Sequence, residues 1–164
     1  MKILVTNDDG FENDGIWALV NAVKELGDVT IVAPAGNQSG VGTAISFRQS
    51  VHINKAASRV DGVDCYAVSG TPADSVILGI EQALDGEVDA IVAGINPGLN
   101  TSRNLFISGT MGAAIQGAAK GVKSCAFSMD HLDDINDQGV CNIITALVKE
   151  LVDPETPRAS LFNV

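Results

Sequence analysis

Two adjacent carboxylates, Asp8 and Asp9, stand directly after the apolar run Ile3-Leu4-Val5 and directly before Gly10. Neighbouring like charges resist joint ionisation unless a cation lies between them or water solvates both. A short Ile, Leu and Val run closed by Asn, Asp and Gly reads as a buried strand with a turn at its carboxyl end. Carboxylates in that position point to a divalent cation gripped where open α/β sheets bind their ligands. Two more polar clusters occupy corresponding places, Asn37 to Ser39 after the apolar stretch 29–33 and Asn96 after the stretch 90–93. Asp8, Asp9, Ser39 and Asn96 would together form an all-oxygen set. That set suits one hard cation such as Mg²⁺ or Mn²⁺ with water left on it. Taken singly, each residue has a plainer reading as a turn or loop former. Their joint occurrence is what favours the metal site.

The stretch Ser108-Gly109-Thr110-Met111-Gly112 offers backbone N–H groups and hydroxyls at a helix start, which is a ready anion site. Capping by Ser108 is the alternative, and the two readings are compatible. No G-x-x-x-x-G-K-[ST] loop occurs, and counting from Asp8 or Asp9 does not reproduce a calcium-binding loop. His52 falls in an alternating stretch and His131 among acids, and neither spacing forms a metal or triad pair.

The elements that must position these residues alternate. Ile16, Leu19, Val20, Val23 and Leu26 recur at helical spacing, with Gly27 as the expected C-cap. Val29 to Ala33 is a strand stopped by Pro34, followed by a polar loop over 35–42. Weaker strand patterns cover 50–54 and 65–68. Thr71 is the expected N-cap and Pro72 the first residue of a helix that buries Val76, Ile77, Ile80 and Leu84. A strand over 90–93, a small-residue helix from Ser108, a strand over 122–127 and a helix over 141–151 complete the series. A further strand begins near 159–164. This alternation predicts an α/β fold, a mostly parallel sheet with helices on both faces, in one domain over 1–164.

Bulk composition narrows the partners. The chain has 164 residues, 46% hydrophobic and 18% charged, which is globular and not disordered. A formal net charge of −10 argues against a nucleic-acid polymer, which needs a basic surface. No apolar run reaches the roughly 20 residues of a membrane-spanning helix, and no signal-peptide pattern opens the chain. Three scattered cysteines, Cys65, Cys125 and Cys141, fit core positions in a reducing cytoplasm.

Five ordered motifs carry a resemblance over nearly the whole chain. Asn7-Asp8-Asp9-Gly10 with Gly15-Ile16, Val32-Ala33-Pro34 with Ser39-Gly40, and Gly70-Thr71-Pro72-Ala73-Asp74 come first. Gly94-Ile95-Asn96-Pro97-Gly98-Leu99-Asn100 and Ser108-Gly109-Thr110-Met111-Gly112-Ala113-Ala114 follow. Together they resemble the SurE family of stationary-phase survival proteins. The resemblance implies a Rossmann-like core, dimeric or larger assembly, and metal-dependent hydrolysis of nucleoside 5′- or 3′-monophosphates. It implies the metal ligands Asp8, Asp9, Ser39 and Asn96. Departures from the family pattern fall at Ala35, Gly36, Gln38, Arg103, Ile107 and Gln116. Relatives continue past Val164, so a C-terminal portion of the family is expected to be missing here.

The expected chemistry is therefore phosphate-monoester hydrolysis, with Asp8 and Asp9 as catalytic carboxylates and Asn96, Ser108, Gly109 and Thr110 as substrate contacts. A receiver-type signalling domain also begins with paired acids after a strand. It needs a phospho-acceptor Asp and a Lys on later strands, which 94–96 and 126–129 do not offer. A nucleotide- or metal-binding module without turnover is the third reading. The β-rich apolar end at Leu161-Phe162-Asn163-Val164 is expected to leave an unpaired strand edge, favouring a homodimer or a marginally stable monomer.

Overall fold

The computed structural model describes all residues, 1–164. Seven strands form one sheet in the order β3-β4-β2-β1-β5-β6-β7. They are β1 (Lys2–Thr6), β2 (Asp28–Pro34), β3 (Ile53–Lys55), β4 (Asp64–Val68), β5 (Ala90–Pro97), β6 (Lys123–Met129) and β7 (Leu161–Asn163). Every pairing is parallel except the edge strand β3, which runs antiparallel to β4. Both faces of a parallel sheet are covered by its crossover helices, so alternate side chains on each strand must all be apolar. They are. Ile3, Val5, Ile31, Val92, Cys125 and Phe127 enter one core, while Leu4, Val32, Ile91, Ala93 and Ala126 enter the other.

Helices α1 (Asp14–Val23) and α5 (Gln138–Val152) cover the first face, and α2 (Pro72–Leu78) with α4 (Gly109–Ala119) cover the second. A four-residue helix, α3 (Asn104–Ile107), leads into α4. The alanines of α4 let it lie close on the sheet, with Ala113 and Ala114 fully buried. The hydroxyl of Thr145 on α5 donates to the carbonyl of Ala22 at 2.7 Å, fastening the two helices of the first face. No helix is long and apolar enough to cross a membrane.

The predicted alternation of strands and helices is present, with three differences in detail. Gly27 is not a left-handed C-cap: α1 stops at Val23, a 3₁₀ turn spans Lys24–Leu26, and Gly27 is extended at φ 170°. A side chain there would meet the Met1 carbonyl at 2.2 Å, so close backbone approach is what calls for glycine. Helix α5 begins at Gln138 because Asp137 caps it, accepting from the Gly139 N–H at 2.7 Å. Strand β5 runs on to Pro97, past a register shift between Ala93 and Asn96. The terminal segment pairs in parallel with β6 as the outermost strand.

Thr71 caps α2 as expected and completes a capping box. Its hydroxyl accepts from the Asp74 N–H at 3.1 Å, and the Asp74 carboxylate accepts from the Thr71 N–H at 2.9 Å. Replacing Thr71 with Ala is expected to lower stability by about 1–2 kcal/mol. Urea denaturation checks this, as a lower midpoint at unchanged slope.

Candidate functional site

Parallel strands send their carboxyl ends to one edge. Strand β1 lies between β2 and β5. The chain moves outward from β1 through β2 to β4, then returns to β5 on the other side of β1. This reversal is the topological switch point at which open α/β sheets bind ligands. Asp8 and Asp9 follow β1 there, and Asn96 ends β5 beside them.

The turn after β1 is built by Asn7. Its fully buried amide donates to the Gly10 carbonyl at 2.9 Å and accepts from the Gly10 N–H at 3.1 Å. Closed in this way, the turn holds Asp8 inward, only 3% exposed. A buried carboxylate requires donors, and Asp8 takes them from the start of α4. The Gly109 N–H donates to Oδ2 at 3.1 Å and the Thr110 hydroxyl donates to Oδ1. The helix dipole adds a favourable field at this terminus. Only glycine fits at 109, since a Cβ there would lie 2.7 Å from the Cβ of Asp8. Ser108 caps α4, accepting from the Met111 N–H at 3.1 Å.

The loop after β2 brings Ser39. It is fastened at three points: the Gln38 N–H donates to the Asp8 carbonyl at 2.6 Å, the Gly42 N–H to the Ile107 carbonyl at 2.9 Å, and Ser46 to Asp74. Asp74 is nearly buried. Burial alone would raise its pKa, but the hydrogen bonds from Ser46 and Thr71 outweigh that and hold it below the usual carboxylate range. Within the loop, Asn37 accepts from the Ser39 N–H at 3.0 Å and donates to Asp9 Oδ1 at 3.2 Å.

In the last residues of β5, the Asn96 amide donates to the Gly98 carbonyl at 2.6 Å, which ties down its nitrogen and leaves Oδ1 without a protein donor. The loop that follows is anchored to β6 and β7. The Gly98 N–H donates to the Met129 carbonyl at 2.7 Å, Asn100 donates to the Ser128 hydroxyl at 3.0 Å, and Asn163 donates to the Asn100 carbonyl at 3.0 Å.

Asp8, Ser39, Asn96 and Ser108 line one cleft of about 280 Å³. Gly109 and Thr110 sit behind Asp8 as its donors and do not line the cleft. Asp9, half-buried, does not line the cleft; it accepts from Asn37, which in turn accepts from the N–H of the lining residue Ser39. Four larger clefts lie elsewhere: two of about 630 Å³ at the amino ends of the strands, near Met1 and Lys123 and near Asp28 and Arg59, one of about 430 Å³ beside Trp17 and Ile135, and one of about 340 Å³ beside Phe47 and Ile77. None of them is lined by Asp8, Ser39 or Asn96, so the smaller cleft is the candidate site. Sequence patterning identified its donors, and Asn37 and Asn100 among the polar residues near them, but not the hydrogen bonds by which asparagines brace the loops. Asn37, Asn100 and Asn163 carry no spacing signal, because their partners lie on other loops.

The electrostatics single out Asp9. Its Oδ2 is buried with no hydrogen-bond partner. Burial, and then the neighbouring Asp8 charge, push its pKa up to about 6. An orphaned carboxylate oxygen beside a second carboxylate fits a cation better than it fits a turn. No group of three or more His, Cys, Asp or Glu gathers anywhere in the chain. A cation at this edge would therefore draw on two carboxylates and on neutral oxygens. Ser39 Oγ and Asn96 Oδ1 are of that kind, and the set is chemically suited to Mg²⁺ or Mn²⁺.

Comparison with known proteins places the whole chain. Residues 3–164 match the family described as Survival protein SurE. A protein named 5′-nucleotidase SurE from Dehalococcoides mccartyi strain CBDB1 is 39% identical over 168 residues, covering 100% of this chain and 63% of that protein. One of the same name from Rhodopirellula baltica is 43% identical over 166 residues, covering 100% of this chain and 65% of that protein. The crystal structure of the SurE protein from Aquifex aeolicus superposes with a TM-score of 0.81 at 32% identity, covering 94% of this chain and 61% of that one. The chain thus spans just under two thirds of the length of these curated relatives.

The Asp9 environment predicts a pH dependence in the metal-free protein. Folded Asp9 keeps its proton up to about pH 6, while the unfolded chain releases it near the ordinary value of 3.8. Between those values the folded state binds more protons, so stability falls as pH rises through the window and levels off above it. The fall is on the order of 1–2 kcal/mol after allowing for solvent screening of a half-exposed group. Asp9→Asn should remove it. Denaturation midpoints in EDTA at both ends of the window, for both proteins, measure the difference.

Proposed function

The chain belongs to the SurE family, and from that premise we propose that it is a phosphatase that hydrolyses nucleoside 5′- or 3′-monophosphates with one divalent cation. One observation carries the reading: the partnerless buried oxygen of Asp9 next to Asp8, at the sheet's switch point, with Ser39 on the loop after β2 and Asn96 at the end of β5. Asp8, Asp9, Ser39 and Asn96 would hold Mg²⁺ or Mn²⁺. When bound, such a cation offsets phosphoryl charge and acidifies water.

The chain's own residues divide the remaining work. Asp8 is fixed by the Gly109 N–H and the Thr110 hydroxyl, so its carboxylate needs no reorganisation when substrate enters. Asn96 and Ser108 line the cleft and would contact phosphoryl oxygens directly. Gly109 and Thr110 are committed to Asp8 and do not line the cleft, so their part is to position that carboxylate. The proton of an attacking water would pass to whichever carboxylate oxygen of Asp8 or Asp9 the cation leaves free.

No observation favours the receiver-type alternative. Strand β5 ends in Asn96-Pro97 and β6 in Ser128-Met129, with neither an acceptor Asp nor a Lys. Three free cysteines, two of them buried, support a reducing, cytoplasmic setting. A homodimer is the proposed assembly, supported by large exposed apolar side chains such as Phe47, 87% exposed, and Phe106, 81% exposed. Size exclusion with light scattering checks it, and a monodisperse monomer would refute it.

Purified protein should release phosphate from a nucleotide panel only with divalent metal, and EDTA should abolish the release. Asp8→Asn and Asp9→Asn should each lower kcat/KM at least about 100-fold while calorimetry shows weaker Mn²⁺ binding. Normal turnover in both variants, or turnover indifferent to EDTA, refutes the reading. Metal and nucleotide binding without turnover would make the chain a binding module.

A further inference from the structure

Between β2 and β3 the chain runs from 35 to 52 with no helix or strand. Loops longer than about 12–15 residues without secondary structure of their own are uncommon, and are usually functional or disordered. This one carries Ser39 near its start, and its firmest anchor lies further along. The Ser46 N–H donates to Asp74 Oδ1 at 3.0 Å, and the Ser46 hydroxyl donates to Oδ2 at 2.7 Å. Beside them the Thr71 hydroxyl donates to the Ala44 carbonyl at 2.7 Å. On its other side the loop lies against α4, where a Cβ at Gly112 would collide with the Gly42 carbonyl. Two successive hydrogen-bonded turns, Gln38 to Val41 and Val41 to Ala44, carry the chain from Ser39 to these anchors.

Asp74 is 6% exposed, and no lysine or arginine pairs with it. Its donors are neutral. Ser46 supplies two of them, and the third is the Thr71 N–H of the α2 capping box. Withdrawing the loop would strip the two Ser46 donors from a buried charge, which costs more than the bonds themselves. Capping α2 asks for a single acceptor, and the second oxygen serves only the loop. The two N–H donors fall on different oxygens. An amide accepts at one end only, so it must turn a donor toward one of them.

Resting on the reading of Ser39 as a cation ligand, we propose that Asp74 is a positioning residue of the site: through Ser46 it holds the Ser39 loop in place, so that Ser39 stands at the cleft before any cation binds. The same helix starts that fix Asp8 also fix this loop. Helix α2 begins against α4, since a Cβ at Gly109 would lie 3.1 Å from Pro72 Cγ, and Gly109 is the residue that donates to Asp8. Asp8 is thus set by the start of α4 and Ser39 by the start of α2, and the two starts touch. A hydroxyl is a neutral ligand for a hard cation, and its contribution depends on a loop ordered in advance.

Hydrogen exchange in EDTA and calorimetric Mn²⁺ binding on the 164-residue chain test this, with Ser46→Ala, Ser46→Thr, Asp74→Asn and, as a reference, Ser39→Ala. Ser46→Ala leaves the capping box intact, so it should lower the urea midpoint less than Thr71→Ala does. Its Gln38 and Gly42 amides should nevertheless exchange about fivefold faster or more. Its Mn²⁺ affinity should fall about threefold or more, and Ser46→Thr, which keeps the hydroxyl, should restore both properties. Asp74→Asn should exceed Ser46→Ala in both effects. Wild-type exchange at 38–42 in both Ser46→Ala and Asp74→Asn overturns the proposal, whether or not the chain binds metal. Unchanged Mn²⁺ affinity in those two variants, where Ser39→Ala weakens it, overturns it as well. Faster exchange in both, with Ser39→Ala binding Mn²⁺ as wild type does or with no Mn²⁺ bound at all, supports the role of Asp74 and refutes only the ligand reading of Ser39.

Discussion

Everything at the candidate site hangs on the contact between Asp8 and the first turn of α4. Two donors, 101 and 102 residues away in sequence, meet the two oxygens of one buried carboxylate. A charge this deeply buried is tolerated only when hydrogen-bonded, and the helix terminus supplies both the bonds and a favourable dipole. The contact joins the end of the central strand to the helix that roofs the second face. It therefore sets the distance between sheet and helix as well as the place of the carboxylate. Removing either donor would leave a buried charge partly unpaired, a larger loss than the bond itself.

The neighbouring Asp9 is the complement of that arrangement. Asp8 has its donors, while one Asp9 oxygen has none and its pKa is pushed up to about 6. A fold that satisfies one carboxylate of a pair and leaves the other unmet keeps a local cost in the metal-free state. Such costs cluster at functional sites, where a ligand relieves them. The surrounding loops are fixed by contrast. Backbone and asparagine hydrogen bonds fasten the Ser39 loop to Asp8, α3 and Asp74, and the loop after β5 to β6 and β7. Electrostatic tension is thus concentrated in a rigid frame, the arrangement in which it is most useful for binding.

The same frame explains why the site is compact. Strand β7 contributes Asn163 to the backbone of Asn100, so the last strand of the described chain reaches the loop that follows Asn96. Its pairing with β6 is parallel and continuous with the sheet, ending in hydrogen bonds from Val164 to Ala126 and from Ser128 to Val164. Sequence reading expected an unpaired edge there. On the side facing β6 the strand is paired, and only its outer side remains open.

The sequence by itself determined the alternation of strands and helices, the double-faced sheet and the acidic and amide groups at its carboxyl edge. Those features rest on local patterns: runs of Ile, Leu and Val, the Thr71-Pro72 cap, and polar residues placed directly after strands. It also suggested Ser108 as a cap, which it is. Gly27 does close the helical pattern, as the C-cap of the 3₁₀ turn, but the need for glycine there comes from Met1, the residue before β1. Only the tertiary structure decided that Gly109 and Thr110 face Asp8, that Asn37, Asn100 and Asn163 brace the loops, and that Ser46 reaches Asp74. Each of these depends on a partner far along the chain, and contacts across such separations leave no periodicity for a single sequence to display.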